Sequence, residues 1–533
     1  MVNKKFQVWL PLLFSVLMIL GMIIGYQLHD KTKSAVFMSS GKKNSIQEVM
    51  DLIKERYVDT EKVDSVSQIV IDNLLSHLDP HSVYIPAKYL TDANQDLLGN
   101  FQGIGIEYQV FNDTINVVNI IHGGPAEQAG IKIGDLLIKA NDTISLTGNQ
   151  INAEKIRFTL RGMAGSSVKI SLLRNNKQFD FTIVRGKIPI PTIDAAYFIA
   201  PQIGFIKLNK FGERTYEEFM QNLEKLQKQG MKKLILDLRG NGGGLVSEAT
   251  AIADEFLDGD KLIVYTEGNQ SPRNDYKCKK EGLFESGSLA VLIDEGSASA
   301  SEILSGALQD WDRATIIGRR SFGKGLVQQQ FQLSDGGAVR LTIARYYTPL
   351  GRNIQKPYNN KTKKDYDNEI VSRYHNESIE SLNDSNISLG KAFKTPSGHV
   401  VYGGGGITPD IFIPLDTSKS SLAYARLFFR NTLSSFVYHY YLSNKSKFEQ
   451  TKTVSQLQQQ FKPGEVEWEA FKNTTKHQDG IDVSEVTLEE KKSILQRMQA
   501  LMAKQIANTE GYYEIANTLD STVKMALNVL NKF

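Results

Sequence analysis

The hydrophobic pattern changes period several times along the chain, and each change predicts a different kind of element. Behind Lys4 and Lys5, apolar residues run from Phe6 to Tyr26, broken only by Gln7, Pro11 and Ser15. That matches the roughly 20 residues needed to span a bilayer. The run is long for a signal peptide, Gly21–Gln27 offers no A-x-A cleavage site, and no lipobox cysteine follows. It therefore reads as an uncleaved signal anchor over residues 6–26 rather than a cleaved signal. The two lysines belong on the cytoplasmic side, which puts everything after residue 30 outside. Residues 31–43 are small and polar and read as a linker. Over residues 45–98 a helical segment is expected. Ile46, Val49 and Ile53, then Val66, Ile69, Val70, Leu74, Leu75 and Leu78, recur at helical spacing until Asp79-Pro80 stops them.

Residues 101–186 switch to short alternating runs with glycine turns, interrupted by one helical segment at about 153–160. From 188 to 415 strand and helix signals alternate, which predicts an α/β domain. Its expected strands include 203–208, 233–238, 289–294, 314–317 and 339–343. Thr215 with Glu218 reads as a capping box, and Gly230 as the stop of that helix. Residues 356–394 are rich in Asn, Lys, Asp, Ser and Tyr and read as a surface insertion. Residues 417–533 return to helical period.

Length and composition narrow the function. A chain of 533 residues needs several cores. A net charge of +3 argues against a nucleic-acid partner. The lone Cys278 and eight scattered histidines show no metal-ligand spacing, so no metal and no cofactor are expected.

Two stretches carry candidate chemistry. Gly296-Ser297-Ala298-Ser299-Ala300-Ser301-Glu302 opens a helix, and Phe322-Gly323-Lys324-Gly325 places a lysine 25 residues after Ser299. A serine needs a base, and a lysine can serve if burial lowers its pKa. No G-x-S-x-G elbow is present, and neither stretch contains a histidine. Taken alone, Ser299 is an ordinary helix N-cap and Lys324 a surface residue of a glycine loop. Taken together they read as a Ser–Lys hydrolase. The acids nearest to Lys324 in sequence are Asp312 and Asp335. Adjacency places the Ala300 N–H to meet a developing oxyanion.

These blocks resemble the carboxy-terminal processing peptidases, or tail-specific proteases. The resemblance also covers Asp79–Tyr84, Gly124–Asp135, which is similar to bacterial PDZ domains, Asp237–Gly244 and Gly403–Asp410. It implies Ser299 as nucleophile, Lys324 as general base, Gln328 as the residue that orients it, and Gly244, with Gly243 next, as second oxyanion donor. It also implies a protease core related to the crotonase and Clp folds. Gly103-Ile104-Gly105-Ile106 then reads as a carboxylate-binding loop, with Ile104, Ile106, Ile156 and Leu160 lining a side-chain pocket. His81 lies too close in sequence to Asp79 and Ser82 for a relay, so 79–84 reads as a structural turn. Gly403–Asp410 likewise reads as structural.

The expected architecture is multidomain α/β: a membrane anchor, a helical lead-in, a PDZ-like β-rich domain, a protease core and a C-terminal helical region. The expected function is a serine endopeptidase held at the inner or cytoplasmic membrane, facing the periplasm in a Gram-negative-type cell, that reads protein C-termini. The alternatives are a PDZ-bearing scaffold with an inert peptidase domain, or another Ser–Lys amidohydrolase. Phe428, Phe429, Phe436, Tyr438, Tyr440 and Tyr441 suggest self-association or adaptor binding through the C-terminal region.

Overall fold

A computed structural model describes residues 15–20, 45–58, 63–149, 151–359, 362–376, 390–414, 421–429 and 431–532. Most of the expected anchor lies outside these. Among the described residues no helix is long and apolar enough to cross a membrane. The stretch up to Ile71 forms one unit and the rest of the chain another. In the lead-in, helices α1 (Ser45–Arg56) and α2 (Val63–Ser76) follow the predicted period, with exposed apolar residues such as Leu52 and Ile69.

Strand β1 (Val83–Ile85) and helix α3 (Ala87–Leu98) lead into the β-rich domain expected at 101–186. Its elements are β2 (Asn100–Gly103), β3 (Ile106–Phe111), β4 (Thr114–Ile120), α4 (Pro125–Ala129), β5 (Leu136–Ala140), β6 (Ile144–Ser145), α5 (Ala153–Leu160), β7 (Ser167–Arg174), β8 (Lys177–Val184) and β9 (Gly186–Pro189). The main sheet runs β3-β4-β5-β7-β8, so β3 is an edge strand. Helix α5 starts where Asn152 accepts from the Lys155 N–H. Helix α4 stops at Gly130, whose positive φ of 88° suits glycine.

The α/β domain holds β10 (Ile193–Ala200), β11 (Ile203–Leu208), α6 (Thr215–Lys228), β12 (Lys233–Asp237), α7 (Val246–Asp254), β13 (Leu262–Gly268), β14 (Ser271–Lys277), β15 (Ser288–Ile293), α8 (Ala300–Asp310), β16 (Thr315–Gly318), β17 (Leu326–Gln332), β18 (Ala338–Tyr347), α9 (Lys363–Asn376), β19 (Ala392–Lys394), β20 (Val400–Tyr402) and β21 (Ile411–Phe412). Strands β11, β12, β15, β16 and β21 run parallel, and β10 pairs antiparallel to β11. Alternate residues of these strands face two different cores, so the strands read as unbroken apolar runs. On one side Ile206, Leu236 and Val291 meet α6, α7 and α8 through Phe219, Ile252 and Leu304. A second, antiparallel sheet of β1, β18, β13 and β14, with β17 beside β18, flanks the site.

The C-terminal helices are α10 (Leu422–Phe429), α11 (Thr432–Ser443), α12 (Lys445–Phe448), α13 (Val454–Gln460), α14 (Glu465–Thr474), α15 (Leu488–Ala516) and α16 (Ser521–Asn531). They have their own core around Phe471 and Met498. The last of them leaves that core. Val523, Ala526 and Leu530 of α16 cover Phe205, Ile235 and Leu292 on the second face of the parallel sheet.

Two expectations are corrected here. Thr215 is the first helical residue of α6, not its cap. Its hydroxyl accepts from the Gly212 N–H, and Glu218 turns away to accept from the Thr192 N–H and hydroxyl. The start of the supposed surface insertion is packed: Tyr366 and Arg373 of α9 are buried. Four of the six C-terminal aromatics are engaged in packing. Phe436, Tyr440 and Tyr441 pack in the helical core, and the Tyr438 hydroxyl donates to Val117 O on β4. The side chains of Phe428 and Phe429 lie outside the described residues.

Candidate active site

The loop after β15 turns sharply into α8, and Ser299 sits at the turn with φ 56° and ψ −111°. Such a conformation costs a non-glycine residue about 1–3 kcal/mol and needs neighbours to hold it. The three serines of the stretch behave differently. The Ser297 hydroxyl is buried and donates to Leu238 O at 2.9 Å. The Ser301 hydroxyl is buried and donates to Asn241 O at 2.8 Å. Ser299 is half-buried, stands at the N-cap position of α8, and its hydroxyl does not take up the capping bond. It faces a cavity of about 550 Å³ that Lys324, Gln328, Gly243, Gly244 and Tyr346 also line. Sequence alone suggested an N-cap as the plain alternative, and the fold leaves that hydroxyl to the cavity.

Glu302 does what the Ser299 side chain does not. Its carboxylate is fully buried and accepts from the Ser299 N–H (2.8 Å), the Ser321 hydroxyl (2.5 Å), the Gly323 N–H (2.8 Å) and the Lys324 N–H (2.9 Å). One side chain therefore ties the serine turn to the lysine loop. Burial raises its pKa, and these bonds oppose the rise. Sequence reading gave Glu302 no role. The signal was available: a glutamate three residues after a helix-opening serine is half of a capping box. A glutamine at this position would offer one acceptor and an unwanted donor to the same four groups. Glu302→Gln is expected to cost about 3 kcal/mol of stability and to lower kcat at least about tenfold. An unchanged melting temperature and kcat would remove Glu302 from the site.

Lys324 is half-buried. Its Nζ donates to Gln328 Oε1 at 3.2 Å, and Gln328 Nε2 donates to His81 O, which fixes the way the amide points. Burial pulls the Lys324 pKa down, the Arg340 charge adds to this, and Glu302 and Asp79 oppose it. Here the sequence misled. The acids that matter are Glu302 and Asp79, brought close by the fold, rather than Asp312 or Asp335. His81 stacks edge-on against Tyr366 and bonds its hydroxyl at 2.9 Å. Burial, then the Lys324 charge, push its imidazole down to about 4. Asp79 closes the turn by accepting from the His81 and Ser82 N–H groups and the Ser82 hydroxyl. The Gly403–Asp410 stretch braces the lysine loop, since the Ile407 N–H donates to the Ser321 hydroxyl.

The glycine run packs directly on the serine. A Cβ at Gly243 would lie 2.8 Å from Ser299 Cβ and 2.6 Å from Ala298 O, so only glycine fits. The Gly243 N–H is engaged by Asn241 Oδ1. The Gly244 and Ala300 N–H groups have no hydrogen-bond partner among the described residues. Tyr346 is buried, and its hydroxyl faces the Ser299 side chain. Burial keeps that phenol protonated.

In the domain at 101–186 Ile104, Ile106, Ile156 and Leu160 are buried and belong to its core. Ile104 O and Gly105 O accept from the Ala126 and Ile121 N–H groups, and Gly103 bridges to Arg161 just past the end of α5. Phe158 and Val110 are the large apolar residues exposed nearby on α5 and β3.

Residues 202–367 match peptidase family S41, and residues 102–184 match the PDZ domain family. The chain is 35% identical over 317 residues to the carboxy-terminal-processing protease of Bartonella bacilliformis, covering 58% of this chain and 71% of the relative. It is 34% identical over 318 residues to a protein of Staphylococcus aureus (strain N315) named "Probable CtpA-like serine protease", covering 58% of this chain and 62% of that relative. Among solved structures, the photosystem II D1 C-terminal processing protease aligns at 25% identity and a TM-score of 0.37, over 71% of this chain and 89% of that one. With an S41 domain, a PDZ domain and this degree of identity to a named relative, the chain belongs to the carboxy-terminal-processing protease family and is a serine-type peptidase.

Proposed function

We propose that this peptidase captures the C-termini of proteins through its PDZ domain and cleaves near them by a Ser299–Lys324 acyl-enzyme mechanism. The observation that carries the reading is the division of labour among three serines: two are spent on backbone carbonyls, and Ser299 shares a cavity with a desolvated lysine. Neutral Lys324 takes the proton from Ser299 Oγ as the oxygen attacks the scissile carbonyl. The Ala300 and Gly244 N–H groups receive the oxyanion. The C–N bond breaks as the Lys324 ammonium returns the proton to the leaving amine. Lys324 then deprotonates a water that attacks the acyl carbon, and as the acyl C–Oγ bond breaks the lysine returns the proton to Ser299 Oγ. Gln328 directs the lysine without fixing its charge as a carboxylate does.

Tail capture is supported by the edge position of β3 and by the glycine loop that leads into it, where Gly105 takes a φ of 80°. A peptide strand can add to such an edge while its carboxylate meets the loop. Peptides with apolar free C-termini are expected to be cleaved about tenfold more efficiently than their amidated forms, measured as kcat/KM. Equal turnover would remove the PDZ role. Labelling of Ser299 by a fluorophosphonate, combined with C-terminal sequencing of the products, separates this reading from an inert scaffold and from a small-molecule amidase.

The apolar run at 6–26 behind Lys4 and Lys5 supports a membrane-anchored enzyme with its catalytic part outside the cytoplasm, periplasmic in a Gram-negative-type cell. Extraction of the full chain by high salt alone would count against the anchor.

A further inference from the structure

We propose that Asp520, at the start of the last helix, is a positioning residue for the oxyanion-binding glycine run. This deepens the Ser299–Lys324 reading and rests on it. The run 239–244 leaves β12 through Arg239. The Arg239 side chain is held from two sides. Its Nε and Nη2 donate to Asp237 at the end of β12, at 3.0 and 2.7 Å. Its Nη1 donates to Asp520 Oδ2 at 2.7 Å. The backbone of the same residue is held as well, since Lys207 Nζ donates to Arg239 O. Burial alone would raise Asp237, but Arg239 and Lys207 outweigh it and hold its pKa at about 2. This is a tight charged cluster rather than a solvent-exposed pair, and bidentate guanidinium–carboxylate contacts fix direction as well as distance.

The residues after Arg239 build the floor of the site. The Gly240 N–H donates to Asp294 Oδ1. Asn241 is fully buried, accepts from the Ala298 N–H and the Ser301 hydroxyl, and donates to Leu208 O. Gly243 rests on Ser299, and Gly244 presents its N–H. The side chain that sets the entry to this run is thus completed by a residue from the far end of the chain. Asp520 has a second bond, since its Oδ1 accepts from the Val523 N–H and caps α16. The two roles can be separated. Asparagine caps a helix about as well as aspartate, but it brings no charge to Arg239.

The test uses the full chain. Asp520→Asn is expected to keep the melting temperature and the KM for a tail peptide, to lower kcat about tenfold, and to weaken a peptide boronate inhibitor by a similar factor. A boronate forms a tetrahedral adduct and reports the oxyanion site. Tenfold is set below the 10²–10³ that outright loss of an oxyanion donor costs, because a shifted donor still contributes. Asp520→Glu is expected to recover part of both losses. Wild-type kcat and boronate affinity in Asp520→Asn would overturn the proposal. So would a fall in melting temperature with boronate affinity unchanged, which marks a cap and nothing more. Failure of the underlying site reading is seen separately, as residual hydrolysis by Ser299→Ala.

Discussion

Alanine at Ser299 or at Lys324 is expected to lower peptide hydrolysis by a factor on the order of 10³ or more while leaving the fold intact. Neither side chain carries the packing of the domain. The Ser299 hydroxyl faces the cavity, and the turn around it is held by Glu302 through the backbone N–H, which alanine retains. Alanine at Ser297 or Ser301 acts through stability instead, because each removes a buried bond to a backbone carbonyl. Such losses are about 1 kcal/mol each. If Ser297→Ala abolished turnover while Ser299→Ala remained active, the wrong serine would have been assigned.

The pH profile adds an independent check. Lys324 must be neutral to accept a proton, so the rate rises as pH climbs through its pKa. Burial and Arg340 favour the neutral amine, Glu302 and Asp79 favour the charged one, and the net shift is downward. The neighbouring His81 stays neutral above about 4 and does not add a step in the working range. A single rise centred below the ordinary lysine value of about 10.4 is expected in kcat/KM. Arg340→Gln removes a positive charge facing the amine and should move the rise to higher pH. A profile flat from acid to alkaline conditions would exclude a lysine base.

Ending the chain before Asp520 is expected to unfold the protease domain rather than to trim an accessory region. Helix α16 buries Val523, Ala526 and Leu530 against Phe205, Ile235, Ala290, Leu292 and Ile317. Losing a buried Leu or Val side chain alone costs about 1–5 kcal/mol. Removing the whole helix also bares an entire sheet face, for a total on the order of 10 kcal/mol. That is comparable to the full stability of a domain, about 5–15 kcal/mol. The measurement is soluble yield and a thermal melt of the chain ending at residue 519. A monomer with a wild-type cooperative melt would show that the sheet does not need this cover.

Local order was legible because it is written in short-range patterns. The helix at 153–160 and the strand at 203–208 fall where their periods predicted, and Gly230 takes the left-handed φ of 94° that ends a helix. The PDZ domain and the S41 protease domain were legible too, through several blocks in the right order. The candidate chemistry was legible as a spacing, Ser299 to Lys324. The errors came where a side chain had more than one partner to choose from. Thr215 and Glu218 fit a capping box, but Gly212 and Thr192 were better placed and took both.

Only the tertiary structure showed that Ser297 and Ser301 give their hydroxyls to backbone carbonyls, because Leu238 and Asn241 lie on the loop after β12 and reach them only in the fold. It decided that Glu302 and Asp79 are the acids near Lys324 and that Arg340 opposes them. It decided that α9 braces the lysine loop, with Arg373 donating to Ser321 O. And it decided that the last helix closes the first sheet. The apolar face of α16 announces that something must be covered, but not what. Hydrophobic burial has no direction, so a sequence can show a face seeking a partner, and only the assembled chain supplies the partner.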